Sequence, residues 1–359
     1  MENEENEYYK IMILHALGDT LGFKNGDWEF NYHDKEKLEV LDYVNEMIYE
    51  FIDLGGINGI DISNWKVSDD TFLHIAVAKG LTHKDKIIKY TKKYLQEETE
   101  SMLKDKTNRY IGITTEKYIK KFTKDYDARN AKYDYMGGGN GGAMKALIIG
   151  ACFKNDLKEL IKTSITISQL THNNAFGYLA GMTSALFTSL ALQKIEIKKW
   201  VSILLKELNS QEVKNFLSLE NLEQIYDHQT YIKYWLKYYD TKFDKNGEPI
   251  KNRSFANPMH RIRYYHDNFF KDTLSQQIGS SGYLCMIMAY DALLDCDGKW
   301  EKLVVYSILH SGDSDTIGAI AGGLYGAFYG FGDVPINLLK NIERKKEIKN
   351  ICDELQKIY

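Results

Sequence analysis

The sequence predicts an all-α protein, a single compact helical domain over 1–359, and three observations carry that reading. Only three prolines occur, Pro249, Pro258 and Pro335, so that 1–248 contains none. Proline removes a donor and clashes inside a helix, so a long proline-free stretch suits helices. Apolar residues recur at helical spacing, with charged residues between them. No strand–helix alternation points to a doubly wound sheet, and no internal repeat points to a solenoid.

The elements follow in order. A first helix at 8–22 carries Ile11, Leu14, Ala16 and Leu17 on its apolar side and ends in Gly18-Asp19-Thr20-Leu21-Gly22. A polar loop at 24–36, broken by Trp28 and Phe30, leads to a helix at 37–53 and a turn at 55–59. Ser68-Asp69-Asp70-Thr71 opens a helix to Lys79, because Ser and Asp accept from the free N–H groups of a first turn. Helices are expected at 85–104 and 114–124, then a glycine-rich loop, Gly137 to Gly142, feeding a helix from Ala143 to Phe153. Helices at 156–170 and 174–192 flank Thr171-His172-Asn173-Asn174, and 196–239 alternates helical patterns with short turns. The segment 240–258, rich in Lys, Asp, Asn and Gly, reads as a surface insertion. Helices at 283–294, 300–309, 315–330 and 337–357 complete the chain.

Composition narrows the function. At 44% hydrophobic and 27% charged, the chain can bury a large core. A net charge of −4 and scattered lysines give no nucleic-acid groove. No run of about 18 uninterrupted apolar residues predicts a membrane span, and the acidic start Met1-Glu2-Asn3-Glu4-Glu5 is unlike a secretory signal. Cys152, Cys285, Cys296 and Cys352 fit neither a zinc site nor a disulfide framework, which suits free thiols in a cytoplasmic protein.

Three clusters carry chemistry. Asp69 and Asp70 are adjacent carboxylates at a helix start; they read as an N-cap or as hard oxygen ligands for Mg²⁺, Ca²⁺ or Mn²⁺. Gly312-Asp313-Ser314-Asp315-Thr316 repeats the pattern, and two such starts could supply the halves of a two-metal site. Its helix carries Gly318, Gly322, Gly326 and Gly330, one bare face against which something packs closely, either another helix or the Asp69-Asp70 helix itself. Gly137 to Gly142 with Asn140 is either a flexible loop or an anion cradle aided by the following helix. Glu29, between Trp28 and Phe30, reads as an acid at a cleft or as a surface residue; Thr171-His172 and Ser280-Ser281-Gly282 are weaker signals.

Taken in this order, the clusters resemble the ADP-ribosylglycohydrolase family, nearest its ADP-ribosylarginine hydrolase branch. The resemblance runs along nearly the whole chain and includes Gly18 to Gly22, Asn25 to Phe30, Trp65 to Thr71, the glycine-rich loop, Thr171-His172, Gly177-Tyr178-Leu179, Ser184 to Thr188, Ala289 to Ala292 and His310 to Asp315. It implies a central binuclear site of two Mg²⁺ ions, with Mn²⁺ as a substitute, held by Ser68, Asp69, Asp70, Asp313, Asp315 and Thr316. It implies that Gly138, Gly139, Asn140, Gly141, Gly142 and Ala143 contact phosphate, that His172 meets the ribose side, and that Ser275 and Ser281 lie at the adenosine end. Asp70 and then Glu29 are the candidate general bases. The implied reaction is hydrolysis of the N-glycosidic bond between ADP-ribose and arginine on modified proteins, by a monomer that releases ADP-ribose. An ionised Glu29 with a flanking ring would face the guanidinium. A serine-linked or O-acetyl-ADP-ribose substrate, or a catalytically silent ADP-ribose binder, are the alternatives. Ser311, Thr316, Tyr283 and Gln276-Gln277-Ile278 depart from the family's usual residues, and the last two bear on the adenosine contacts.

Overall fold

The computed structural model describes residues 6–30, 37–105, 107, 109–122, 126–127, 131–217, 221–269 and 277–359, with the backbone alone over 37–42. Among the described residues there is no strand; pairing is limited to the bridges Gly139–Ser281 and Phe243–Pro249. The all-α expectation holds.

The molecule is organised around two helices in backbone contact. Helix α1, Glu7–Phe23, is capped by Asn6, whose side chain accepts from the Tyr9 N–H at 3.0 Å. It ends at Phe23, one residue past the expected Gly22. Gly18 and Gly22 face the C-terminal glycine row. A Cβ on Gly18 would stand 2.0 Å from the Gly318 carbonyl oxygen, and one on Gly22 would stand 2.2 Å from that of Ser314. Reciprocally, Cβ atoms on Gly322 and Gly326 would stand 2.2 and 2.4 Å from the Leu14 and Lys10 carbonyl oxygens. The bare faces of both helices are thus pressed together, which offsets their weak helix propensity. Gly330, at φ 66°, ends the second helix.

Around this pair, helix α2 covers Lys37–Asp53, α3 Asp69–Leu81, α4 Ile87–Lys104, α5 Ile113–Ile119, α6 Leu147–Cys152 and α7 Leu157–Gln169. Helices α8, Ala175–Leu192, α9, Trp200–Leu208, α10, Leu222–Lys242, and α11, Pro258–Asn268, follow. Helices α12, Gly282–Asp295, α13, Trp300–Ile308, α14, Ser314–Tyr329 (the glycine-row helix), and α15, Lys345–Ile358, complete the fold. Helix α8 is long and apolar enough to cross a membrane by length and composition, yet it is buried inside the bundle. It packs on α6, α7, α10, α12 and α14. All four cysteines are buried free thiols.

The segment 240–258 is tied down at both ends. Lys242 is fully buried and pairs with Asp291 at 2.9 Å and Asp295 at 2.6 Å. Arg261 of α11 meets the same two carboxylates. Phe243 and Phe255 are buried, and most residues between them are exposed or half-buried.

Candidate active site

Helices α3 and α14 start facing one another beside the C-terminal half of α1, because the glycine contact holds α1 and α14 at the closest spacing backbones allow. Ser68 caps α3, and its side chain accepts from the Asp70 N–H. Ligand oxygens of Asp69, Asp70 and Asp315 all lie within 4.8 Å of one another. Thr316 Oγ1 donates to Asp70 Oδ2 at 3.2 Å, and Ser68 Oγ donates to the same oxygen at 3.2 Å. The two acidic motifs, over two hundred residues apart in the chain, therefore form one cluster. Asp313 stands at its edge, where Asn140 Nδ2 donates to its Oδ2 at 2.8 Å.

Asp19, on α1, is a residue whose part the sequence did not reveal. It is fully buried and its carboxylate accepts from the Ser68 N–H at 2.9 Å, the Thr71 N–H at 3.1 Å and the Thr71 hydroxyl at 2.5 Å. It fixes the turn that presents Asp69 and Asp70. The only sequence signal is an acid between two glycines in an otherwise apolar helix.

These carboxyls are buried and repel each other, so their protons are held tightly. Burial, then Asp315, pushes Asp19 up to about 8 and Asp69 up to about 7. Burial and neighbouring carboxylates push Asp70 and Asp313 well above the carboxylate range. A divalent cation removes that penalty, because its charge inverts the local preference. The donors fit one: they are hard oxygens, and Asp70 Oδ1 is buried without any hydrogen-bond partner.

The cluster lies in a cavity of about 1280 Å³ lined by Glu29, Phe30, Asp69, Asp70, Gly138, Gly139, Asn140, Gly141, His172, Ser281, Asp313, Asp315 and Thr316. Most of the sequence-derived residues thus lie around one space, and several lie outside it. Gly142 and Ala143 do not line the cavity; a Cβ on Gly142 would stand 2.2 Å from the Gly177 carbonyl oxygen, so that glycine serves helix packing. Ser68 does not line the cavity either; its hydroxyl donates to Asp70. The helix after the glycine-rich loop begins at Leu147, not Ala143. The Asn140 N–H donates to the Ser280 carbonyl at 2.9 Å and is not available to an anion. Ser275 lies outside the described residues.

Trp28 is not part of the mouth. It is buried, edge-on to Trp65, and its Nε1–H donates to Glu50 at 2.7 Å. Phe30 supplies the ring instead; its N–H donates to the Gly312 carbonyl at 3.0 Å, in a left-handed conformation of φ 45°. Glu29 is not held ionised by these residues alone: burial, then Asp315, Asp313, Asp69 and Asp19, push its carboxyl well above the usual range. The far wall was also missed. Tyr283 stacks on Tyr234 at 4.0 Å between centroids, with Phe176 at 5.6 Å, so the departure at Tyr283 builds an aromatic wall together with α10.

The family model described as ADP-ribosylglycohydrolase matches residues 2–359. A protein of Acanthamoeba polyphaga mimivirus named as an ADP-ribosyl glycohydrolase is 35% identical over 355 residues, covering 95% of this chain and 68% of its own. The ADP-ribosylhydrolase ARH1 of Dictyostelium discoideum is 31% identical over 389 residues, covering 98% and 94%. The ADP-ribosylhydrolase ARH3 of Gallus gallus is 22% identical, covering 81% and 78%. A solved structure titled an ADP-ribosylglycohydrolase-related protein complex shares the fold, with a TM-score of 0.59 at 16% identity over 100% of this chain and 99% of that one. With its all-helical fold, its paired acidic helix starts and a family match along its length, the chain belongs to the ADP-ribosylglycohydrolase family, a family of hydrolases.

Proposed function

We propose that the protein hydrolyses the bond between ADP-ribose and arginine on modified proteins, using two Mg²⁺ ions, as a single-domain cytoplasmic monomer. The observation that carries the linkage is that Glu29 and Phe30 line the same cavity as the acidic cluster. A planar, charged guanidinium suits an acid and an aromatic face. The end-to-end similarity to the Dictyostelium ARH1, against the weaker similarity to the chicken ARH3, supports the same branch.

Asp69, Asp70, Asp313, Asp315 and Thr316, backed by Ser68, would hold the ions. Bound there, the cations would anchor and polarise ribose hydroxyls and acidify water. The chain's own groups do the rest. Gly138, Gly139 and Gly141 carry no side chains, which lets a diphosphate approach the backbone. His172 lines the same wall. The anomeric carbon–nitrogen bond breaks through an oxocarbenium-like state, and water attacks the carbon. Asp70 takes the water proton, with Glu29 as the second candidate. The leaving guanidine accepts a proton readily, so no strong acid is required.

The test compares initial rates on matched peptides bearing arginine- or serine-linked ADP-ribose. Arginine should be cleaved at least tenfold faster, on the order of what a matched polar contact is worth. Equal rates, or a preference for serine or for O-acetyl-ADP-ribose, would move the chain to another branch of the family.

A further inference from the structure

Beneath the glycine-rich loop lies a buried lysine that the reaction above does not use. Lys145 is fully buried, and its ammonium donates to the Gly141 carbonyl oxygen and, at 2.8 Å, to Thr171 Oγ1. Thr171 Oγ1 is 2.9 Å from His172 Nδ1. The His172 ring lies against the loop: a Cβ on Gly141 would stand 2.4 Å from its Cε1, so that position admits only glycine.

We infer that Lys145 and Thr171 are positioning residues that set the tautomer of His172, making its cavity-side Nε2–H a hydrogen-bond donor to an oxygen of the bound nucleotide sugar. Burial lowers Lys145 to about 7 against the pull of Asp69 and Asp70; in its ammonium form it can only donate, so Thr171 Oγ1 accepts from it. Thr171 is fully buried, and its hydroxyl hydrogen has one acceptor within reach, His172 Nδ1. Were Nδ1 protonated instead, that hydrogen would be buried without a partner, the arrangement folded proteins avoid. Nδ1 is therefore the acceptor and the ring proton sits on Nε2. Burial and the neighbouring Lys145 also hold the imidazole neutral, in keeping with one proton on the ring. Nε2 has no protein partner among the described residues, and His172 lines the cavity beside Gly139 and Gly141. A phosphate or ribose hydroxyl oxygen, each an acceptor, fits that donor. The same ammonium pins the Gly141 carbonyl, so loop and imidazole are held in register by one buried side chain.

The inference rests on the cavity being an ADP-ribose site, and the experiment separates the two. The probe is ADP-ribose, with binding measured by calorimetry in Mg²⁺ buffer and the His172 tautomer read from two-bond ¹H–¹⁵N correlations on the full-length protein. Wild type should show a protonated Nε2. Thr171→Val should move the proton wholly or partly to Nδ1 and weaken ADP-ribose about tenfold, the scale of one polar contact. Thr171→Ser, which keeps the hydroxyl, should restore both. Lys145→Met should give the same direction of change, and Thr171→Val carries the test if that variant fails to fold. A wild-type proton on Nδ1, or a Thr171→Val variant that changes tautomer without losing affinity, overturns the relay. Failure of ADP-ribose to bind wild type at all would refute the functional reading instead.

Discussion

Gly18→Ala tests whether the backbone contact between α1 and α14 builds the acidic site. The new Cβ would stand 2.0 Å from the Gly318 carbonyl oxygen and 2.5 Å from its carbon. Ordinary contact needs well over 3 Å, so the helices must part by about 1 Å. Alanine in place of glycine gains about 1 kcal/mol of helix propensity. Overpacking against rigid backbone costs about 1–3 kcal/mol and sometimes more, so a net loss of about 2 kcal/mol is expected. The same shift moves the neighbouring Asp19, whose bonds to the Ser68 and Thr71 N–H groups, at 2.9 and 3.1 Å, would stretch beyond hydrogen-bond range. Stability is read by urea denaturation and cation affinity by Mg²⁺ or Mn²⁺ titration. Gly112→Ala is the stability control, since its Cβ would meet only Thr115 Oγ1 at 3.7 Å. A Gly18→Ala protein as stable as wild type, with unchanged cation affinity, would refute the coupling of helix spacing to the site.

Asp69→Ala, Asp70→Ala, Asp313→Ala and Asp315→Ala should each lower turnover by orders of magnitude while circular dichroism stays helical; near-normal rates in any two would overturn the ligand assignment. Asp19→Ala should also lower cation affinity although it touches no ion, because the turn at 68–71 loses its acceptor. For pH, burial pushes Asp291 up but Lys242 and Arg261 outweigh it and hold the carboxyl at about 2, below its ordinary 3.8. A depressed folded-state value stabilises above the unfolded value and is lost as pH falls through the folded one, a contribution of about 2 kcal/mol. The stability gap between wild type and Asp291→Asn should therefore be constant above about pH 5 and shrink below about pH 4; a gap independent of pH would contradict the ion cluster.

The helices were legible because their apolar spacing is local. Gly18 to Gly22 read as the last turn of α1, which ends at Phe23; what local spacing does not show is that its glycines lie against a partner glycine row. The acidic motifs were legible as helix starts, and their resemblance to a known family joined them before any geometry did. Trp28 misled because its neighbours are polar, whereas its indole is buried and paired with a glutamate on α2. Asp19, Lys145 and the Tyr234–Tyr283 stack were missed because each acts on a partner far along the chain. The glycine-rich loop was seen, but which of its residues face the cavity depends on α8, against which Gly142 is packed.

The most direct measurement is release of ADP-ribose from an arginine-modified protein by enzyme that has been exhaustively chelated and then given back Mg²⁺ or Mn²⁺, beside Asp70→Asn treated in the same way. Chelation should abolish release, either cation should restore it to wild type, and neither should restore it to the variant. Full release after chelation, or a variant that recovers with Mg²⁺, would contradict a cation-assisted hydrolysis centred on Asp69, Asp70 and Asp315.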